Sequence, residues 1–128
     1  MPCDIIWEPQ GVRRHFHGHM SPSDLLHSIE AVHGDMRFDD LHYSLNDFLD
    51  VTSSDIEPNT LMEGAAHAIG ATLSNTRLVM LMVVADPTIR EKVRRFTGPP
   101  LSSFRAEFFE TREDARDWIA KHVAGSSP

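Results

Sequence analysis

The stretch from Arg77 to Ala85 carries Leu78-Val79-Met80-Leu81-Met82-Val83-Val84, apolar at odd and even positions alike, and it stops at Asp86-Pro87. A strand with one wet face alternates apolar and polar side chains, so a short run that is apolar at both parities fits a central strand covered above and below. The run is far shorter than the roughly 20 residues that a membrane-crossing helix needs, and no membrane insertion is expected. A sheet with cover on its faces is the constraint that the rest of the chain has to satisfy.

The flanking segments supply it. Asp4 to Trp7 and Val12 to His17 read as short strands joined through Glu8-Pro9-Gln10-Gly11, a hairpin turn. Ser21-Pro22-Ser23-Asp24 combines a hydroxyl cap, proline at the first helical position and an early acid, and opens a helix with Leu25, Leu26, Ile29 and Val32 on one side and Gly34 at its end. Leu41 to Asp47 alternates at period two and is read as a strand. Ser54-Asp55-Ile56-Glu57 reads as a capping box for a second helix running to Leu73. Asp86-Pro87 caps a third helix carrying Ile89, Val93 and Phe96, closed by Gly98-Pro99-Pro100. Phe104 to Phe108 alternates again, and Thr111 with Asp114 caps a last helix whose inner face is Ala115, Trp118, Ile119, His122 and Val123. The predicted order is β-β-α-β-α-β-α-β-α, an α/β domain with a mixed, mostly parallel five-stranded sheet and an antiparallel N-terminal strand.

At 128 residues the chain is one domain in length. Nothing divides it, so the domain is set at residues 1–124 with a tail at 125–128. The net charge of −7 repels phosphate backbones and anionic lipid, so nucleic acid is not the expected partner. One cysteine, Cys3, and a start without a charged and apolar leader point to a reducing, cytoplasmic setting.

Four segments in order carry a resemblance: Phe16-His17-Gly18-His19-Met20-Ser21 leaving the second strand; Tyr43-Ser44-Leu45-Asn46-Asp47-Phe48; Val84-Ala85-Asp86-Pro87; and Phe109-Glu110-Thr111-Arg112-Glu113-Asp114-Ala115-Arg116-Asp117-Trp118-Ile119. With them the chain resembles the SpoIIAA-like proteins of the STAS superfamily, whose β-α superhelix is similar to the lipid-binding SEC14 (CRAL-TRIO) fold. The resemblance implies a non-enzymatic regulatory domain with a protein partner, or a domain for a small apolar or lipid-like ligand. Anti-sigma factor antagonists of that family carry an Asp-Ser-Ser-Gly type segment before their second helix. Here the stretch is Asp50-Val51-Thr52-Ser53-Ser54-Asp55, without the glycine and at a different spacing, so the resemblance transfers no phosphosite.

Among residues with chemistry of their own, His15, His17 and His19 alternate, which on a strand puts them on one face about 7 Å apart. Neutral imidazole suits zinc, nickel or copper, and His42 is the nearest further ligand, so His15, His17 and His42 are the candidate metal set, against the plainer reading of a solvated sheet face. The expectation rests on parity, which sets Phe16, Tyr43, Leu45 and Phe108 toward the helices and His15, His17, His42, Ser44 and Asn46 on the open side. Ser53 and Ser54 at a helix start, with Arg90 and Arg94 on the basic third helix, form the candidate partner or phosphate site; plain capping and a solvated helix face are the ordinary alternatives. Asp47 and Asp50 are spaced as a carboxylate pair or as turn caps. Met80 and Met82 read as core. No glycine-rich phosphate loop, nucleophile elbow or Cys-x-x-Cys pair is present, and no cofactor is expected. If helices cover only one sheet face, the apolar central strand calls for a second copy, and a homodimer is expected.

Overall fold

A computed structural model describes residues 3–54, 75, 77–97 and 105–123. Five strands, β1 (Cys3–Trp7), β2 (Gly11–Met20), β3 (Tyr43–Ser54), β4 (Val79–Val83) and β5 (Arg105–Phe109), form one sheet in the order in which they occur in the chain. β1 runs antiparallel to β2, and every later pairing is parallel. The hairpin between β1 and β2 closes through reciprocal backbone hydrogen bonds of Glu8 and Gly11. Between the strands lie α1 (Pro22–His33), a 3₁₀ helix (Met36–Asp40) and α2 (Pro87–Thr97), and α3 (Arg112–His122) follows the last strand. The expected second helix, the Gly98-Pro99-Pro100 stop and the tail at 125–128 lie outside the described residues.

The starts of α1, α2 and α3 are those predicted, and the start expected at Ser54 to Glu57 runs into residues outside the described ones. Ser21 caps α1 in a reciprocal capping box with Asp24, and Pro22 occupies the first turn. Asp86 Oδ1 accepts the N–H groups of Thr88 and Ile89 at the start of α2, and Thr111 Oγ1 accepts that of Asp114 in α3.

Parallel strands that step in one direction across a sheet place right-handed crossover helices on one face. On that face Val12, Phe16, Phe48, Met80 and Met82 pack against Leu25, Ile29 and Val32 of α1 and Val93 of α2, with Phe16 stacked on Phe48 at 4.9 Å. α3, bound by no such crossover, covers the other face over β3 to β5: Ala115 and Ile119 meet Tyr43, Leu45, Leu81 and Val83. Both faces of β4 are covered as its composition requires. The cover that had suggested a second copy is supplied over β3 to β5 by α3 of the same chain.

Two expectations are corrected. β3 runs from Tyr43 to Ser54, well past the predicted Asp47, so Ser53 and Ser54 end a strand. The parity of β3 is also the reverse of that expected. Val12 lies beside Ser44 and Arg13 beside Leu45, so Tyr43 and Leu45 face α3, whereas Ser44 and Asn46 share the α1 side with Phe16. Ser44 and Asn46 are buried there because polar partners meet them. Asn46 Oδ1 accepts Arg14 Nε at 2.6 Å, its Nδ2 donates to the carbonyls of Ser44 and Leu81, and Arg14 reaches Ser28 Oγ on α1. Burial pulls the pKa of Arg14 down to about 10, and no carboxylate is paired with it among the described residues.

Candidate functional site

Parallel α/β sheets place ligands and partners beyond the carboxyl ends of their strands. Here that edge is the end of β3 and the first turns of α2. Thr52, Ser53 and Ser54 line one side of a surface depression of about 180 Å³, and Asp86, Thr88, Ile89 and Lys92 line the other. The strand extension beyond Asp47 carries the two serines there. Gly18, at φ 69°, shifts the register of β2 between Gly18 and His19, and His19 Nδ1 meets Ser53 Oγ at 2.7 Å.

The depression's charge follows from its neighbours. The first amides of α2 are already occupied by Asp86, so positive character rests on side chains. Arg90 is 3.7 Å from Glu110 and lies over the Phe108 ring, and Arg94 makes a two-point contact with Glu91. Lys92 has no acidic partner among the described residues. The structure therefore brings Ser53 and Ser54 together with Lys92, and directs Arg90 and Arg94 to acids of their own sheet edge and helix.

A second polar region spans β1, β2, β3 and α3, on the face α3 covers in part. Asp47, with a side chain only 1% exposed, accepts Arg112 Nε at 2.5 Å and Arg13 at 3.4 Å, and its other oxygen takes the backbone N–H of Leu49. Arg112 also donates to Asp50 at 2.8 Å, and Asp50 meets His15 Nε2 at 2.6 Å. His15, followed by Arg112, holds the Asp50 carboxyl below its ordinary value against the opposing effect of desolvation. One turn along α3, Arg116 grips both oxygens of Glu8, which also accepts the Tyr43 hydroxyl. Arg116 lowers the Glu8 pKa, while burial, and then Glu8 itself, push Tyr43 up to about 12.

Of the candidate metal set, His15 and His17 share this face, with ring centroids 5.4 Å apart and Asp4 against both. His42 does not join them: it precedes β3, its N–H bound to the Gln10 carbonyl, at the parity of Ser44 on the opposite side. Among the described residues no group of His, Cys, Asp and Glu stands as a ready-made metal shell. No described helix is long and apolar enough to cross a membrane. The roles of Arg13, Arg112 and Arg116 escaped the sequence reading because their partners lie 34 to 108 residues away.

No family model and no curated protein matches the chain. Solved structures do. The unphosphorylated form of the anti-sigma factor antagonist SpoIIAA is 15% identical, with a TM-score of 0.56 over 92% of this chain and 97% of that one. The Bacillus cell fate determinant SpoIIAA in its phosphorylated form is 15% identical at TM-score 0.54, over 91% and 98%. An uncharacterized DUF3478-family protein with a SpoIIAA-like fold from Shewanella loihica PV-4 is 13% identical at TM-score 0.52, over 91% of each chain. The chain has the SpoIIAA-like fold.

Proposed function

We propose that this chain, folded as SpoIIAA is, acts as a non-enzymatic regulatory module of the cytoplasm that binds a protein partner at the strand-end edge formed by Ser53, Ser54 and Lys92. The observation that carries the reading is the depression itself, which two serines from the end of β3 share with a lysine on α2 that has no acidic partner among the described residues. An acidic side chain of a partner, or a phosphate added to either serine, would meet Lys92 there, and the two events would compete.

The test is photo-cross-linking in the source cells from a probe at Thr88, with a second probe at Arg116 as reference. A protein cross-linked from Thr88 that disappears in Lys92→Glu and in Ser53→Asp, with the Arg116 pattern unchanged, supports the reading. Capture that ignores both substitutions, or that occurs only from the α3 side, refutes it.

A further inference from the structure

The outer edge of β1 presents a row of backbone groups to which nothing is bound. Glu8 and Gly11 exchange both backbone hydrogen bonds across the hairpin, and in an antiparallel ladder such pairs alternate with pairs whose groups point away from each other. Followed back along the register, Ile6 bonds with Arg13 and Asp4 with His15, whereas Trp7, Ile5 and Cys3 turn their N–H and C=O groups outward. β1 ends the strand order, and among the described residues no backbone group pairs with that row.

Natural sheets commonly guard such an edge with charge, proline or a bulge. β5, the other edge, carries Arg105 and Glu107, joined at 2.8 Å. β1 has no proline, lysine or register shift, and its one carboxylate, that of Asp4, turns across its own ladder to His17 at 3.2 Å and His15 at 3.8 Å. Ile6 is 39% exposed on the same face. A strand of another chain can add here, and the register selects a second copy. The outward row is symmetric about Ile5, so a twofold axis at that residue sets Ile5 against Ile5 and Cys3 against Trp7, and every outward group finds a partner. Asp4 of each copy then lies opposite Ile6 of the other, with Arg13 next in the same cross-strand row. The exposed isoleucines are covered, opposite charges share a row, and the two aspartates meet only diagonally. α1 contacts both β1 and β2, so the two α1 helices would stand about three strand spacings, about 14 Å, apart and would not collide.

We propose that two copies of this chain join through β1, antiparallel about Ile5, into one continuous sheet. The same edge is used by both copies, so the assembly closes at a dimer. None of these residues lines the strand-end depression, and the pairing does not depend on the partner proposed there.

The experiment is sedimentation equilibrium of the full chain in reducing buffer over a range of concentrations, with amide exchange followed by NMR in the same samples. The average mass should rise toward twice that of one chain. The amides of Ile5 and Trp7 should become protected with it, while those of Asp4 and Ile6 are protected by β2 at every concentration. Ile5→Pro deletes an outward donor and no bond to β2, and it should abolish the dimer. Ile6→Glu, set opposite Asp4 of the other copy, should weaken association about 10-fold, and Ile6→Lys should preserve it; circular dichroism verifies that each variant is folded. Should Ile5→Pro fail to fold, the two Ile6 variants carry the test. A chain that stays monomeric at every concentration, its edge left to water or to a strand of another protein, overturns the proposal. So does a dimer that Ile6→Glu and Ile6→Lys weaken alike, or one in which the Ile5 and Trp7 amides stay unprotected, since such a dimer buries a face instead of joining edges.

Discussion

Arg112 Nε donates to Asp47 Oδ2 at 2.5 Å, so a half-exposed cation on α3 closes over a carboxylate buried in the middle of β3. Arg112→Ala removes the strongest partner of that carboxylate, leaving Arg13 at 3.4 Å and the Leu49 amide. Stranding a buried charge costs several kcal/mol, but water can reach the space Arg112 vacates, so the expected loss is about 2 kcal/mol. Denaturant unfolding measures it, and Asp47→Asn in the same background should recover part of the loss.

That contact also shows where the sequence was legible and where it was not. Buried β4, the caps at Ser21, Asp86 and Thr111, and the strand directions, an antiparallel hairpin followed by parallel crossovers, all follow from local patterns. Alternation says which residues of one strand lie together. It does not say which face they share with the next strand. Ser44 and Asn46 look like solvent-facing polar residues, but β3 is covered on both sides and they are satisfied by Arg14 and by backbone carbonyls. The expected His42 ligand fell with that parity. The pairing of Asp47 with an arginine 65 residues later has no local signal at all.

Arg14 gives a prediction of opposite sign to the usual loss of a buried partner. Arg14 is 4% exposed, and its guanidinium is bound to Asn46 and Ser28 with no carboxylate beside it among the described residues. Replacing a buried charge by an apolar side chain of similar length removes a desolvation penalty. Arg14→Met should change unfolding stability by less than about 1 kcal/mol or raise it, whereas Arg14→Ala should lower it by about 2 kcal/mol through the cavity left against Phe16. Parallel denaturation of the two variants compares them.

Tyr43 makes stability depend on alkaline pH. Burial, reinforced by Glu8, raises its pKa from 10.0 to about 12. A group raised on folding contributes in full below its unfolded pKa and loses that contribution as pH climbs to the folded value. Stability should therefore decline between pH 10 and 12 in the wild type, and Tyr43→Phe should flatten that part of the profile. Glu8, held low by Arg116, works at the other end: its contribution is present above the ordinary carboxylate range and fades as pH falls below it.

Gly18 separates backbone strain from crowding. At φ 69° a Cβ would meet nothing within 4 Å, so Gly18→Ala should cost about 1 kcal/mol from conformation alone. Because the register shift at Gly18 delivers His19 to Ser53, the same substitution should also perturb the His19 imidazole signals in NMR. At Gly11 an added Cβ would instead collide with the Tyr43 ring, and Gly11→Ala should be the more damaging of the two.

The proposed role at the strand ends is most directly tested by hydrogen–deuterium exchange on the chain alone and with the partner captured from the Thr88 probe. The account predicts slowed exchange confined to Thr52 to Ser54 and the first turns of α2, and its reversal in Lys92→Glu. Protection that falls on β1 or α3, with the strand-end amides unchanged, would contradict it.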